Sequence, residues 1–417
     1  MGFRWGASRC VIGVGAVALV TLAGCNLGVA PVPYELVDAE DFDLPLGPTG
    51  MASGDIDGDG DLDVVATGRD GYATLTNDGS GAYALDFPNS YEPFSLHPSL
   101  VDVEGDGDLD LVSSIAALSS PQALVPSVRR NDGTGAFGPV EVVQPDPPPG
   151  DLTALISSDA DGDGDVDMLA AFRVDQERYV GTYLNDGTGG FGAPATDSLA
   201  FTSDRATPVN LVAGDLDGDG DDDVVATDTW HMAMPDGEVV DRTVAMVGLN
   251  DGTGAFAAAG SPIEVGSDGD FWALSPALAD LDDDGNLDLA VGGGGSIATL
   301  LGSGSGGFGA PQFNPVPDTR VIDFLTSADI DEDGKIDLVG FDDILKATSG
   351  VVAYGDGAGG IAQVHEVGTG TGLGDDGTPG REVEITDLEG DGDPDILFLA
   401  GGLGVVENAT EGLRPTH

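Results

Sequence analysis

Seven copies of one nine-residue acidic pattern, short apolar runs on both sides of each copy, and a spacing of 47 to 65 residues predict an all-β fold, a seven-bladed β-propeller of four-stranded blades. The copies begin at Asp55, Asp102, Asp159, Asp215, Asp280, Asp329 and Asp387. They read DIDGDGDLD, DVEGDGDLD, DADGDGDVD, DLDGDGDDD, DLDDDGNLD, DIDEDGKID and DLEGDGDPD. A chain of 417 residues would otherwise suggest two or three domains, but self-similarity at this period assigns most of it to one ring. With 67 glycines and 6% aromatic residues the chain is rich in turns, and 41% hydrophobic residues suffice for a core.

Each unit divides into four strands. An apolar run before the acidic loop, such as Ser99-Leu100-Val101 or Asn210-Leu211-Val212-Ala213, gives strand A. A β-branched run after it, such as Asp63-Val64-Val65-Ala66 or Asp223-Val224-Val225-Ala226, gives strand B. Strand C ends in Asn77-Asp78-Gly79, Asn131-Asp132-Gly133, Asn185-Asp186-Gly187 or Asn250-Asp251-Gly252, residues that accept the positive φ of a hairpin turn. An aromatic then opens strand D: Tyr83, Phe137, Phe191, Phe256 or Phe308. The seventh unit ends after a B strand (Ile396 to Leu399) and a C strand (Gly404 to Glu407). Tyr34-Glu35-Leu36-Val37 precedes the first A strand without a blade of its own. An open edge invites pairing, so this segment is expected to supply strand D of the last blade and close the ring.

The acidic loops have the composition of a hard-cation site. In D-x-D-x-D-G-x-x-D, carboxylates at positions 1, 3 and 5 converge around a sharp turn at the position-6 glycine, and the position-9 carboxylate closes the shell. The candidate ligands are Asp55, Asp57, Asp59 and Asp63; Asp102, Glu104, Asp106 and Asp110; Asp159, Asp161, Asp163 and Asp167; and Asp215, Asp217, Asp219 and Asp223. They continue with Asp280, Asp282, Asp284 and Asp288; Asp329, Asp331, Asp333 and Asp337; and Asp387, Glu389, Asp391 and Asp395. Position 7 varies and includes Lys335, so its side chain is no ligand. These loops are not EF-hands, which need a glutamate at position 12 where the first loop has Ala66. The expected ion is calcium, about one per blade and up to seven, in a structural role. Glu104 and Glu389 at position 3 are departures that weaken the second and seventh sites or make that ligand act through water, and Pro394 is a further departure in the last loop.

The acidic loops followed by L-D-[LV]-[VL], with Gly190-Phe191-Gly192 and Ala136-Phe137-Gly138 opening strand D, resemble FG-GAP/VCBS repeats over nearly all of residues 34–408. That family resembles the integrin α-subunit propeller. The resemblance implies calcium loops on one face and partners on the other. Its members include adhesion proteins, lectin-like modules and parts of polysaccharide lyases, so function stays broad.

The chain opens with a targeting segment. Arg4 and Arg9 make a positive start, Val11 to Leu22 form an apolar stretch, and Leu22-Ala23-Gly24-Cys25 looks like a bacterial lipobox. Residues 1–24 are then a lipoprotein signal peptide, Cys25 the lipidated residue, 25–33 a tether, 34–408 the propeller and 409–417 a tail. A signal peptide cut elsewhere, or a membrane anchor left uncut, is the alternative. The expected location is the bacterial cell envelope, outer membrane or cell surface, with the membrane reached through lipid on Cys25. Cys10 and Cys25 are the only cysteines, which leaves the exported domain no disulfide and makes metal the expected source of rigidity. A formal charge of −60 with no basic footprint excludes nucleic acid as a partner.

If the acidic loops join A to B, the long insertions at Ala116–Pro126, Asp228–Arg242, Thr196–Pro208, Gly266–Pro276 and Gly368–Arg381 all fall on the opposite face. They carry Trp230, His231, Phe271, Trp272, Arg205 and Arg381, a candidate surface for a glycan or a surface protein, unless these residues only pack their own loops. Catalysis is not expected, because His97, His231, His365 and His417 are scattered and no G-x-S-x-G occurs. A propeller-type polysaccharide lyase or hydrolase with an insertion-face site is the alternative.

Overall fold

A computed structural model describes residues 44–406 except 45, 80–82, 89–93, 118–119, 144–150, 175–176, 203–209, 234–238, 268–274, 317–321, 323, 342–348, 369–381, 389–391 and 400–402. The described residues form strands and turns without a helix. Blade one is β1 (Pro48–Gly54), β2 (Asp63–Gly68), β3 (Gly71–Asn77) and β4 (Tyr83–Asp86), and blade two is β5 (Ser95–Val101), β6 (Asp110–Ala117), β7 (Ser120–Arg129) and β8 (Glu141–Val142). Blade three is β9 (Asp151–Ser158), β10 (Asp167–Val174), β11 (Glu177–Tyr183) and β12 (Ala195–Thr202). Blade four is β13 (Asn210–Gly214), β14 (Asp223–Ala233), β15 (Val239–Asn250) and β16 (Phe256–Ala258), with β17 (Ile263–Ser267) also paired to β15. Blade five is β18 (Pro276–Ala279), β19 (Asp288–Gly292), β20 (Ser296–Leu300) and β21 (Gln312–Pro315). Blade six is β22 (Phe324–Ala328), β23 (Asp337–Phe341), β24 (Ser349–Gly355) and β25 (Ile361–Gly368), and blade seven shows β26 (Val383–Thr386), β27 (Asp395–Leu399) and β28 (Leu403–Val406). Every sheet is an antiparallel meander in chain order, so the molecule is a seven-bladed β-propeller with each acidic loop joining the first strand to the second.

The second strands explain why their apolar runs are continuous rather than alternating. Side chains of a strand point to opposite faces by turns, and here both faces are covered by neighbouring blades. Leu169 and Ala171 of β10 pack toward blade four, while Met168, Ala170 and Phe172 pack toward blade two. In β27 Leu397 and Leu399 meet blade one, and Ile396 and Phe398 meet blade six, where Phe398 stacks on Phe341 with ring centroids 5.0 Å apart. Each junction between consecutive blades has such a cluster, including the closing one. There Leu44, Leu46, Met51, Val64 and Ala66 pack with Leu388, Leu397, Leu403 and Val405.

The closing junction has polar ties as well. The free inner edge of β1 donates its Met51 and Ser53 amides to the carboxylates of Glu382 and Glu384 from the blade-seven side. Burial pushes Glu382 up to about 8 and Glu384 also upward. The expected closing strand at Tyr34–Val37 lies outside the described residues.

Two expectations are refined. The described residues of the insertions at Ala116–Pro126 and Asp228–Arg242 are not loops but lengthened strands; β14 and β15 remain paired from Val224↔Gly248 out to Ala233↔Val239, beyond the last β13 partner at Thr227. The aromatic opens the fourth strand only at Tyr83 and Phe256. Phe191 and Phe308 instead make single bridges to Asn185 and Gly302 at the end of the turn.

Candidate metal centre

The acidic loop is shaped first by its own backbone amides. In blade one the position-1 carboxylate accepts from Gly58 (2.8 Å) and Gly60 (3.1 Å). In blade four Asp215 accepts from Gly218 (2.7 Å) and Gly220 (3.1 Å). This winding needs left-handed backbone at positions 4 and 6, with φ of 76° at Gly58 and 98° at Gly60. A Cβ at either glycine would meet nothing within 4 Å, so the requirement is conformational and not steric. Asp283 and Glu332 occupy position 4 in blades five and six and take φ of 58° and 54°.

Position 9 begins the second strand and is wholly buried. Its two oxygens accept two amides from different segments. In blade four Asp223 Oδ2 accepts from Leu216 (3.0 Å) and Oδ1 from Asn250 (2.8 Å). The same pair of bonds recurs at Asp63, Asp110, Asp167, Asp288 and Asp337, so this aspartate joins the acidic loop to the turn after the third strand. Burial pushes Asp167 and Asp337 up to about 6, and Asp63, Asp223 and Asp288 upward, against the pull of the amides.

Carboxylate oxygens from separate positions then converge to within 4.8 Å of one another. The groups are Asp55, Asp57 and Asp63; Asp159, Asp161 and Asp167; Asp215, Asp217 and Asp223; Asp280, Asp282 and Asp288; and Asp329, Asp331 and Asp333. In the first four, position 5 stays outside the group, and its carboxylate accepts the position-7 amide, as Asp59 does from Asp61 at 3.0 Å. Position 7 turns away as expected: a Cβ on Gly79, Gly187 or Gly252 would come within 2.4–2.7 Å of Asp61, Asp165 or Asp221. The position-7 side chain therefore lies over the turn glycine.

Several of these oxygens are buried and lack a hydrogen-bond partner: Oδ1 of Asp159 and Asp161, Asp217, Asp282 and Asp329. A buried carboxylate oxygen left unpaired beside two other carboxylates is costly, and the cost is removed by a cation. Oxygen-only donors, several to a site, suit a hard divalent ion. The donor sets of blades three to six fit one on this ground, and that of blade one does so by its convergence. The blade-two set differs: Glu104 meets Asp110, but Asp102, Glu104 and Asp110 do not all converge to within 4.8 Å, and Glu104 pairs with Arg130. Burial and a hydrogen bond to Asp110 push Glu104 up to about 7. In blade seven Asp387 and Asp395 make the usual loop bonds, to Gly392 (2.8 Å) and Leu388 (3.0 Å), whereas Glu389 and Asp391 lie outside the described residues.

Of the candidate ligand-face residues, Trp230 and His231 stand on β14 with backbone partners Arg242 and Asp241. Arg205, Phe271, Trp272 and Arg381, like Cys25, lie outside the described residues.

One set of functional residues was not apparent from the sequence. The asparagine that ends the third strand is not in the positive-φ region; the glycines after it are. Its side chain crosses to the preceding blade and donates to the position-2 carbonyl of that blade's acidic loop. The bonds are Asn77 to Leu388 (2.9 Å), Asn131 to Ile56 (2.7 Å), Asn185 to Val103 (2.9 Å) and Asn250 to Ala160 (2.6 Å). Blades five and six have Gly302 and Gly355 there, and the amides of Gly306 (2.9 Å) and Gly359 (3.1 Å) reach Leu216 and Leu281 instead. A signal existed: position 2 is apolar in all seven loops, as a buried inter-blade residue must be.

The profile of the FG-GAP-like repeat matches residues 55–113, 159–226 and 280–340, each span opening on an acidic loop. The chain carries FG-GAP-like repeats. No curated protein sequence matches the chain. Among solved structures, a lectin from Agrocybe aegerita that recognises non-reducing terminal N-acetylglucosamine is similar, with a TM-score of 0.56, 21% identity, and 80% of this chain and 83% of that one covered. An α-L-arabinanase from Penicillium chrysogenum has a TM-score of 0.46 and 13% identity, covering 74% of this chain and 94% of that one. For a rhamnogalacturonan lyase from Bacillus licheniformis the values are 0.46 and 14%, covering 90% and 76%. At 21% identity the likeness to the lectin speaks for the fold alone.

Proposed function

We propose that this chain is an exported, lipid-anchored, calcium-binding β-propeller that serves as a cell-surface binding module. Residues 1–24 are removed as a signal peptide, Cys25 carries the lipid, and residues 25–33 tether the ring over 34–408 to the envelope. Calcium in the A–B loops is structural: it neutralises carboxylates that the fold has already gathered and ties the first two strands of a blade together. The observation that carries the calcium reading is the set of buried, partnerless carboxylate oxygens at positions 1 and 3.

The binding surface is assigned to the opposite end of the blades. The A–B loops and C–D turns share one end by the meander, so the lengthened β14–β15 ladder, with Trp230 and His231, extends from the other. Phe271, Trp272, Arg205 and Arg381 belong to the same end by sequence. Aromatic and basic residues on a rigid scaffold suit a glycan or a surface protein. The test is a glycan array and a pull-down of surface proteins with the full chain in calcium buffer, N-acetylglucosamine-terminated glycans being tried first. A ligand whose binding drops at least tenfold in the double variant Trp230→Ala/Trp272→Ala supports the reading. A ligand bound equally by both proteins places the site elsewhere.

A further inference from the structure

The blade-two loop departs from the others in a direction that can be read in full. Arg130 follows β7 directly, and its guanidinium has three partners. Nη1 pairs with the carboxylate of Glu104, Nε lies 3.4 Å from Glu141, and Nη2 donates to the Gly189 carbonyl of blade three at 3.0 Å. The equivalent residue, the one before the turn asparagine or its glycine substitute, is Thr76, Leu184, Leu249, Leu301 and Tyr354 in blades one and three to six. None of these carries a charge. The position-3 residue matches the difference, because Glu104 is one methylene longer than the aspartate of blades one and three to six and reaches the arginine.

The amide bonds that shape the other loops are present here as well. Asp102 Oδ1 accepts from Gly105 (2.8 Å) and Asp106 (3.1 Å), and Oδ2 from Gly107 (2.8 Å). Asp110 accepts from Val103 (3.1 Å) and Asn131 (2.8 Å). No oxygen of Asp102, Glu104 or Asp110 is among the buried atoms left unpaired, unlike those of blades three to six. Lys335 in blade six is a useful contrast. It pairs with Asp333 at the exposed rim, and Asp329 Oδ1 stays unpaired beneath it, so a basic residue at position 7 does not fill a loop.

We propose that Arg130 is the resident cation of the blade-two loop, which therefore takes no calcium. A guanidinium held by a carboxylate satisfies charge and hydrogen bonding together. Through Gly189 it also fastens blade two to blade three. The glycine itself is set by the turn, since Gly189 takes a φ of 73° as its equivalents Gly135, Gly254, Gly306 and Gly359 take 72–78°.

The inference rests on the calcium reading of the other loops, and counting calcium per chain separates the two. Equilibrium dialysis of the full chain in detergent compares wild type with Asp102→Asn, Asp215→Asn and Arg130→Gln. The expected result is one ion fewer in Asp215→Asn, no change in Asp102→Asn, and one ion more in Arg130→Gln. A loss of one ion in Asp102→Asn overturns the proposal and leaves the calcium reading standing. Should Asp102→Asn not fold, Arg130→Gln decides, and an unchanged count overturns the proposal. A wild-type chain that binds no calcium removes both.

Discussion

The inter-blade asparagine makes a prediction whose size follows from its bonds. In Asn250→Ala, the Asn250 amide still donates to Asp223, so the blade-four loop keeps its internal tie. What is lost is Nδ2, which serves Ala160 O in blade three (2.6 Å) and Asp222 O (3.0 Å), and Oδ1, which holds the Gly252 amide (3.2 Å). Ala160 is fully buried, so its carbonyl has no route to water. A buried carbonyl left unpaired costs about 1–3 kcal/mol, and a lost turn bond adds roughly 1 kcal/mol. The expected destabilisation is therefore about 2–4 kcal/mol, or a Tm lower by about 3–5 °C for a ring of this length. The assay is urea unfolding in saturating calcium, which holds the metal contribution constant, with Thr253→Ala as control because its hydroxyl bonds only to exposed Asp251. If Asn250→Ala falls within about 0.5 kcal/mol of wild type, the asparagine is a turn residue and not a link between blades.

Two further outcomes follow from the loops. In chelator, burial holds Asp167 and Asp337 up to about 6, above their unfolded value of 3.8, so the native state binds the extra protons and stability falls as pH rises from about 4 to about 6. Glu382, near 8, extends the fall upward. Calcium reverses the trend, because protons compete with it for the same oxygens; Tm at pH 5 and pH 7.5, with EGTA and with calcium, reads both slopes, and a metal-free Tm that rises with pH contradicts the account. Asp283→Gly relieves a φ of 58° and removes one charge beside Asp282, so it is expected to stabilise by about 0.5–1 kcal/mol; a loss of stability in urea unfolding refutes that.

The blade count, strand order and position of every acidic loop were legible because each rests on local, repeated signals. Clustered aspartates, invariant turn glycine and flanking apolar runs recur seven times, and one misread copy could not change the period. The lengthened β6–β7 and β14–β15 ladders were not legible, since Ala116–Pro126 and Asp228–Arg242 break the strand pattern with polar residues and proline. In β6–β7 the pairing is backed by a small buried cluster of Ile115, Ala117 and Val125, too short an apolar signal to show through the interruptions. The role of Asn77, Asn131, Asn185 and Asn250 was hidden for a different reason. Asparagine before Asp-Gly is expected in a turn on local grounds alone, and the bond it makes is to a residue 75 to 311 positions away. The substitution of Arg130 for metal was half visible: Glu104 stood out as a departure, but its partner could be found only in space.

The central claim, that metal in the acidic loops holds the ring, is tested most directly by thermal unfolding of the full chain with millimolar calcium and with EGTA. An ion at 100 times its dissociation constant stabilises by about 2.7 kcal/mol per site. Binding at several loops therefore predicts a large rise in Tm with calcium and a fall back on chelation. A folded protein that melts at the same temperature in both would show that the acidic loops are held by their own amides alone.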